Sequence, residues 1–314
     1  MARVVVVGPG AMGCLHAALL ARAGVDVALL DYRPDRAQRL ADKGLVLWWG
    51  ERAQRVRVAV TADPSALAPV RFLVLMVKAY DTEAAAQHAL PAASDSTVWV
   101  TLQNGLGNVE ALARVAPGSP VLAGVTTSGA NLRDEGQVNV AALGSTVVGP
   151  AGTASAEDAD EFGGPWREAG LDVTVTPGPW PAIWRKLIVN AAINPVAGLA
   201  GRPNGEIMAV PSLRRVAFGV AREVAAVARA EGVDLGEQAD PTALVEQVCE
   251  LTALNRCSML QDLEAGRRTE IDHINGEVAR RARPGTPAPL CEALTTLVRA
   301  AEGRPGDDLQ PAEH

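Results

Sequence analysis

The feature that most restricts what this chain can fold into is a glycine-rich turn close to its amino terminus. Val4 to Val7 predicts a buried strand, Gly8-Pro9-Gly10-Ala11-Met12-Gly13 follows it as G-x-G-x-x-G, and Ala11 to Ala23 predicts a helix. In this motif the first glycine makes the turn, the second admits a phosphate, and the third lets the helix pack closely on the strand. The sequence therefore predicts a dinucleotide site formed by Gly8, Pro9, Gly10, Ala11, Met12 and Gly13.

The alternation of strands and helices continues through the first half of the chain. Short apolar runs predict further strands at Val25 to Leu30, Phe72 to Val77, Val98 to Leu102 and Val121 to Val125. Leu45 to Leu47 and Val56 to Val60 predict two more, joined as a hairpin across Gly50. Continuous apolar runs are typical of parallel strands that are covered on both faces. The pattern predicts an α/β Rossmann-type doubly wound domain.

The alternation of predicted strands and helices ends at residues 176–181, which read TPGPWP, and long helical stretches follow. Helices are predicted over residues 183–193, 213–231, 241–263, 270–283 and 290–301, with no convincing strand among them. We therefore predict a Rossmann domain over residues 1–177 and an all-α substrate and catalytic domain over residues 178–302. The polar residues 303–314 are predicted to be a disordered tail.

Composition narrows the class of function. The formal net charge of −7 argues against nucleic-acid binding and against adhesion to an anionic membrane. No apolar run approaches the about 20 residues of a membrane-spanning helix. The four cysteines form no C-x-x-C pair and the four histidines have no ligand-like spacing, so no metal site is predicted. These observations predict a cytoplasmic protein that acts on a small molecule.

The cofactor's adenosine end is less clearly specified. Asp31 follows the second predicted strand, where an acid would hold a ribose 2′-hydroxyl and favour NAD. Arg33 could instead bind the 2′-phosphate of NADP, and Lys78 could reach the same region from the next loop. The residues alone leave both cofactors open.

A polar stripe marks the first helix of the second half. Lys186, Asn190 and Asn194 are spaced by four residues in a segment that is otherwise almost entirely apolar. Because buried amides and an ammonium group are costly without partners, the stripe predicts a polar cavity or a ligand. Pro195 is expected to end this helix at Asn194.

A second polar region spans residues 255–276. Ser258 and Glu270 could meet across a bend at Gly266. Glu270 has an alternative interpretation as a favourable charge near a helix amino terminus that Thr269 caps.

On these residues the chain resembles the ketopantoate reductase (2-dehydropantoate 2-reductase) family from Gly8 to about Ala301. The blocks that carry the resemblance are Gly8 to Gly13, Val77 to Thr82 (VKAYDT), Leu102 to Gly107 (LQNGLG), Trp184 to Asn194 (W-x-K-x-x-x-N-x-x-x-N), and Ser258 to Asp262 (SMLQD) followed by Thr269 to Asp272 (TEID) and Asn275-Gly276.

The resemblance implies that NADPH reduces 2-dehydropantoate to (R)-pantoate, on the route to pantothenate and coenzyme A. It implies that Lys186 is the general acid. The implied substrate-binding residues are Asn104, Lys186, Asn190, Asn194, Asn204, Asn255 and Ser258. The implied cofactor contacts beyond the glycine turn are Lys78, Asn104, Ala130 and Glu270. The protein is expected to be a monomer or a homodimer.

One departure keeps an alternative open. Family members usually place a basic residue directly after the second strand, where this chain has Asp31-Tyr32-Arg33. The alternative is an NAD-dependent D-2-hydroxyacid dehydrogenase of the same family that acts on another 2-oxo acid. A third hypothesis, a non-catalytic dinucleotide sensor, needs the glycine turn but neither the stripe nor Ser258.

Overall fold

The computed structural model describes residues 4–236 and 240–303 and divides them into two units. The first unit contains residues 4–103 and 108–179, and the second contains residues 104–107 together with the rest. The chain passes from the first unit to the second between Pro179 and Trp180, two residues after the domain boundary that the sequence predicts. Apart from Gly303, the predicted tail lies outside the described residues.

The strands of the first unit form two sheets. Within the described residues the strands are β1 Val4–Val7, β2 Val27–Leu30, β3 Leu45–Trp49, β4 Arg52–Val56, β5 Ala59–Thr61, β6 Phe72–Leu75, β7 Val98–Thr101, β8 Val121–Thr126, β9 Gly129–Asp134, β10 Gln137–Ala142, β11 Ser145–Pro150 and β12 Asp172–Val175. The larger sheet has the order β12-β11-β8-β7-β6-β1-β2-β5, and the smaller has the order β4-β3-β10-β9.

The helices divide between the units at residue 180. Those of the first unit are α1 Ala11–Arg22, α2 Pro34–Lys43, α3 Thr82–Ala89, α4 Asn108–Val115 and α5 Ala156–Glu168. Those of the second are α6 Trp180–Ala200, α7 Asn204–Ala209, α8 Pro211–Ala230, α9 Pro241–Leu251, α10 Ser258–Glu264, α11 Asn275–Arg281 and α12 Pro289–Ala301.

The predicted doubly wound domain is confirmed. The six strands β5, β2, β1, β6, β7 and β8 run parallel, and every residue of β1, β2, β6, β7 and β8 is buried. The apolar side chains on the two sheet faces pack into separate core clusters, as expected where helices cover both faces. The hairpin across Gly50 is also present, but its second strand is β4, which ends where the predicted strand Val56 to Val60 begins.

The smaller sheet completes this unit with two strands that were not predicted. Strand β9 is half-buried at its first two residues and exposed at the other four, whereas β10 alternates half-buried and buried residues as far as Val140, so neither has the continuous apolar pattern of the central strands. Strand β10 pairs with β3 in parallel and with β9 antiparallel. Strand β9 is thus defined by its pairing with β10, whereas the polar and apolar alternation of Gln137 to Val140 was an available sequence signal for β10.

The second unit is helical, as predicted, but one predicted helix is interrupted. The stretch expected as one helix over residues 241–263 is two, because α9 ends at Leu251 and α10 begins at Ser258. Between them, the carbonyl oxygens of Ala253 and Asn255 accept hydrogen bonds from the backbone N–H groups of Gly205 and Asn204. Another segment of the chain has thus taken the acceptors that a continuous helix would use.

The predicted end of α6 at Asn194 is wrong, since the helix continues through Pro195 to Ala200. Proline cannot donate the hydrogen bond that the Ala191 carbonyl would normally accept four residues earlier. Instead, Nδ2 of the buried Asn275 donates to the oxygen of Ala191 at 3.1 Å. A distant side chain therefore satisfies the carbonyl that Pro195 leaves open. The helix predicted over residues 270–283 likewise starts later, at Asn275, after a 3-10 turn over Ile271–His273.

Across the residues that the structure describes, no helix combines the length and the apolar character needed to cross a membrane.

Candidate active site

Two of the three glycines of the G-x-G-x-x-G turn are required by the protein's own packing. Gly8 has φ of +104°, and a Cβ there would lie 2.5 Å from Cγ1 of Val77. A Cβ on Gly13 would lie 1.9 Å from the carbonyl oxygen of Gly8. These contacts explain the tight turn and the close approach of helix α1 to the preceding strand.

Gly10 has no such internal requirement. Its φ of −72° and ψ of −178° suit any residue, and the nearest atom to an added Cβ is the Met76 carbonyl oxygen at 3.8 Å. Gly10 also forms the amino-terminal cap of α1 without a side-chain hydrogen bond. The turn thus leaves open space beside a helix amino terminus, where backbone N–H groups and the helix dipole favour a phosphate. The residues present fit a dinucleotide pyrophosphate.

We expect Gly10→Ala to weaken binding of the nicotinamide dinucleotide about tenfold, the order of one lost hydrogen bond to a charged phosphate. Because no protein atom obstructs the added methyl group, the melting temperature should not change. Isothermal titration calorimetry and thermal unfolding measure the two quantities. Gly164→Ala on α5, where an added Cβ would have no obstructing atom within 4 Å, adds the same methyl group away from the turn and is the control. A tenfold loss in both variants would contradict the assignment.

The other predicted cofactor residues of this unit lie at strand ends and on the smaller sheet. Asp31 directly follows β2 and its side chain is fully buried, whereas Arg33 is exposed and forms an ion pair with Asp35. Lys78 is half-buried and precedes a 3-10 turn that follows β6. Ala130 is half-buried in β9, opposite Val140 of β10.

The second unit carries the polar stripe. Lys186, Asn190 and Asn194 follow one face of α6 at intervals of four residues; the first two are half-buried and Asn194 is only 7% exposed. Burial lowers the pKa of the Lys186 ammonium group to about 8, and the nearby Glu270 carboxylate partly opposes this shift. Burial therefore brings the pKa of this lysine closer to the range in which a general acid is effective.

Glu270 joins this stripe to the segment of residues 104–107. Its side chain is 6% exposed, and Nδ2 of Asn104 donates to its Oε2 at 3.3 Å. The segment is held by the backbone N–H of Leu106, which donates to the oxygen of His273 at 2.8 Å. Gly105, with φ of +80°, permits this approach because a Cβ there would lie 2.2 Å from the same oxygen. Asn104, Glu270 and Lys186 are thus linked by a hydrogen bond and a charge interaction.

Ser258 is tied to the stripe through Cys257, which sequence reasoning did not single out. The Cys257 thiol donates to the oxygen of Asn194 at 3.6 Å and accepts from the N–H of Leu260 at 3.4 Å. The thiol therefore caps α10 and ties the residue before this helix to α6, while Ser258, the first residue of α10, is exposed. The cysteine's place directly before Ser258 was the available signal, but cysteine is not a usual cap in sequence rules.

Asn204 and Asn255 form a separate pair. The backbone N–H of Asn204 donates to the oxygen of Asn255 at 3.0 Å, and its Nδ2 donates to Oγ1 of Thr252 at 2.9 Å. The Asn255 residue is exposed, whereas Asn204 is 7% exposed. The contacts of Asn204 hold α7 to the loop that precedes α10.

Among the described residues, no group of three or more His, Cys, Asp or Glu side chains could hold a metal ion. The four cysteines are buried free thiols.

The chain is similar to known proteins over nearly its whole length. The family described as "Ketopantoate reductase PanE/ApbA" matches residues 4–153, and its C-terminal family matches residues 180–302. A 2-dehydropantoate 2-reductase of Halobacterium salinarum is 38% identical over 302 residues, covering 96% of this chain and 99% of that protein.

Solved structures agree with the sequence comparison. A PanE/ApbA family ketopantoate reductase from Ralstonia eutropha is 32% identical with a TM-score of 0.85, covering 96% of this chain and 98% of the other. D-mandelate dehydrogenase in complex with NADH and anilino(oxo)acetate is 26% identical with a TM-score of 0.88 and the same coverage. The relatives named 2-dehydropantoate 2-reductase are oxidoreductases. With both halves matched and an identity of 38% over 96% of its length, this chain belongs to the ketopantoate reductase family.

Proposed function

We propose that this protein reduces 2-dehydropantoate to (R)-pantoate with NADPH, on the route to pantothenate and coenzyme A. The proposal rests on the position of Lys186, which lies on one face of α6 with Asn190 and Asn194. Burial lowers the pKa of this lysine to about 8. The relatives named 2-dehydropantoate 2-reductase support the substrate.

The chemistry follows from what a ketone reduction requires. A bound reduced nicotinamide would supply a hydride to the ketone carbon. The alkoxide that results needs a proton and a neighbouring positive charge, and the Lys186 ammonium group offers both. The Glu270 carboxylate, being negative, favours the protonated lysine before the reaction. No further acid is required.

The amide and hydroxyl groups bind the rest of the substrate in this proposal. Asn190 and Asn194 can donate hydrogen bonds to substrate oxygens without adding charge. Ser258 and the loop that contains Asn255 would hold the carboxylate, with Asn204 as the support of that loop. Asn104, which already donates to Glu270, would contribute from the segment of residues 104–107.

The rate of reduction should fall as pH rises through about 8, because Lys186 must be protonated and burial lowers its pKa to about 8. Well above that midpoint, kcat should decrease about tenfold for each pH unit. Glu270→Gln removes the charge that raises the pKa of Lys186, so the midpoint of the pH–rate profile of this variant should lie at lower pH than in the parent. Steady-state rates at saturating substrate between pH 6 and pH 10 measure both. A pH-independent rate, or a midpoint that moves upward in Glu270→Gln, would contradict the general-acid role.

The second candidate function is an NAD-dependent D-2-hydroxyacid dehydrogenase that acts on another 2-oxo acid. The likeness to D-mandelate dehydrogenase with NADH favours it, as does an acid at residue 31. Lys186 and Glu270 would have the same roles in that enzyme. The two functions therefore differ in substrate and cofactor and not in the chemical step.

A steady-state assay separates these functions. NADPH and NADH are each followed by absorbance with 2-dehydropantoate, pyruvate, 2-oxoisovalerate and phenylglyoxylate as substrates. We expect kcat/KM to be at least about tenfold higher for 2-dehydropantoate with NADPH than for any other pair. A preference for NADH with phenylglyoxylate or 2-oxoisovalerate would support the second function. Nucleotide binding without turnover of any of the four acids would support a sensor.

A further inference from the structure

The carboxylate of Asp31, at the end of β2, is enclosed by its own chain. Its side chain is 0% exposed. Oδ2 accepts from Nε of Arg36 at 2.5 Å, and Oδ1 accepts from Nη2 of Arg36 at 2.5 Å and from the backbone N–H of Arg33 at 3.1 Å. Both oxygens are therefore occupied, and the negative charge is paired with a guanidinium group.

The backbone of Asp31 is fixed as firmly as its side chain. Its N–H donates to the oxygen of Thr61 on β5 at 3.0 Å, and its carbonyl oxygen lies 3.1 Å from Nε2 of His88. To reach a ribose, the Asp31 carboxylate would have to leave three hydrogen bonds, two of which form its ion pair with Arg36. Such a rearrangement is costly because it would leave the Arg36 charge without its partner.

The exposed part of this ion pair belongs to Arg36. Its side chain is 22% exposed, and its guanidinium carbon lies 5.5 Å from the ring centre of the exposed Tyr32. Two of the five N–H groups of a guanidinium suffice for the two bonds to Asp31. The others can donate to a ligand, in a plane that Asp31 holds fixed.

Neighbouring arginines are engaged differently. Arg39, one turn further along α2, pairs with both carboxylate oxygens of Glu135 and also with Asp35. Arg33 is exposed and pairs with Asp35. Of these three, Arg36 is the one whose partner is fully buried, so its orientation is the best defined.

We propose that Arg36, held in position by Asp31, recognises the 2′-phosphate of NADP(H). The inference rests on the proposed function, because the residue after the second strand of a Rossmann domain is the one that meets the adenosine ribose. A free acid there would repel a phosphate, but this one is neutralised and buried. Arginine binds phosphate with paired hydrogen bonds, and here its guanidinium group is oriented in advance. Asp31 is thus a positioning residue for NADP and not a sign of NAD.

The test compares two adenosine fragments, 2′,5′-ADP and 5′-AMP, by isothermal titration calorimetry on the full chain. We expect Arg36→Gln to weaken 2′,5′-ADP at least about tenfold and to leave 5′-AMP within about twofold, since one phosphate contact is lost. Arg39→Gln is the matched control, and both fragments should bind to it about as tightly as to the unmodified protein.

A double variant tests whether misfolding explains the loss of binding. This control is needed because Arg36→Gln alone leaves the buried Asp31 charge without its partner. Asp31→Asn combined with Arg36→Gln replaces the ion pair by two amides that can bond to each other, and it should show the same selective loss. Equal weakening of both fragments in this variant, or unchanged binding of 2′,5′-ADP, would overturn the role of Arg36. Failure of the unmodified protein to bind even 5′-AMP would overturn the proposed dinucleotide function as well.

Discussion

Replacing Lys186 by alanine is expected to lower kcat by at least about 100-fold, the scale of losing one preorganised stabiliser of a developing charge. The variant loses both the proton donor and the positive charge beside the alkoxide. Its remaining rate should not show the pH dependence centred near 8 that burial of the ammonium group produces. Single-turnover reduction of 2-dehydropantoate measures the chemical step directly.

Lys186→Met keeps most of the side-chain volume and separates chemistry from folding. Burial disfavours the ammonium group, so its folded-state pKa lies below that of an unfolded lysine. The charge therefore opposes folding at every pH below the pKa of lysine in the unfolded chain. The variant, which lacks this charge, should be at least as stable as the parent at pH 7. Near-parental turnover in either variant would exclude Lys186 as the general acid.

Removing the side chain of Asn275 is expected to destabilise the protein by about 2–3 kcal/mol, the cost of a buried carbonyl left without a donor. Its Nδ2 donates to the Ala191 oxygen, which Pro195 cannot serve, and Asn275 is fully buried. Urea unfolding of Asn275→Ala measures the loss. The same variant should also have lower kcat, because α6 carries Lys186, Asn190 and Asn194.

A double-mutant cycle isolates the cause of that loss. Pro195→Ala restores the backbone N–H that can donate to the Ala191 oxygen, so Asn275→Ala should cost less than about 1 kcal/mol in that background. Costs that simply add in the double variant would show that Asn275 acts through its packing and not through this carbonyl.

Much of the fold could be predicted from local sequence. In the strand–turn–helix at Val4 to Arg22, Gly13 is required by the carbonyl oxygen of Gly8, five positions earlier, and continuous valine and leucine runs specify buried parallel strands. The stripe of Lys186, Asn190 and Asn194 could also be predicted, because helical period alone places residues four apart on one face.

The remaining features depend on partners that are distant in sequence. Helix α6 continues past Pro195, and Asn275, eighty positions later, supplies the donor that Pro195 lacks. The turn between α9 and α10 forms where α7 takes two backbone carbonyls. Local rules treat each backbone group as if its neighbours alone must satisfy it, and these groups are satisfied from elsewhere.

Asp31 shows most clearly which properties depend on the sequence alone and which depend on the tertiary structure. The sequence determined that an acid stands at the end of the second strand, beside the expected ribose. Only the tertiary structure decided that this acid is buried and paired with Arg36 on α2. The side chain's charge is a property of the residue, but the charge that a ligand meets depends on which partner neutralises it and which of the two reaches solvent.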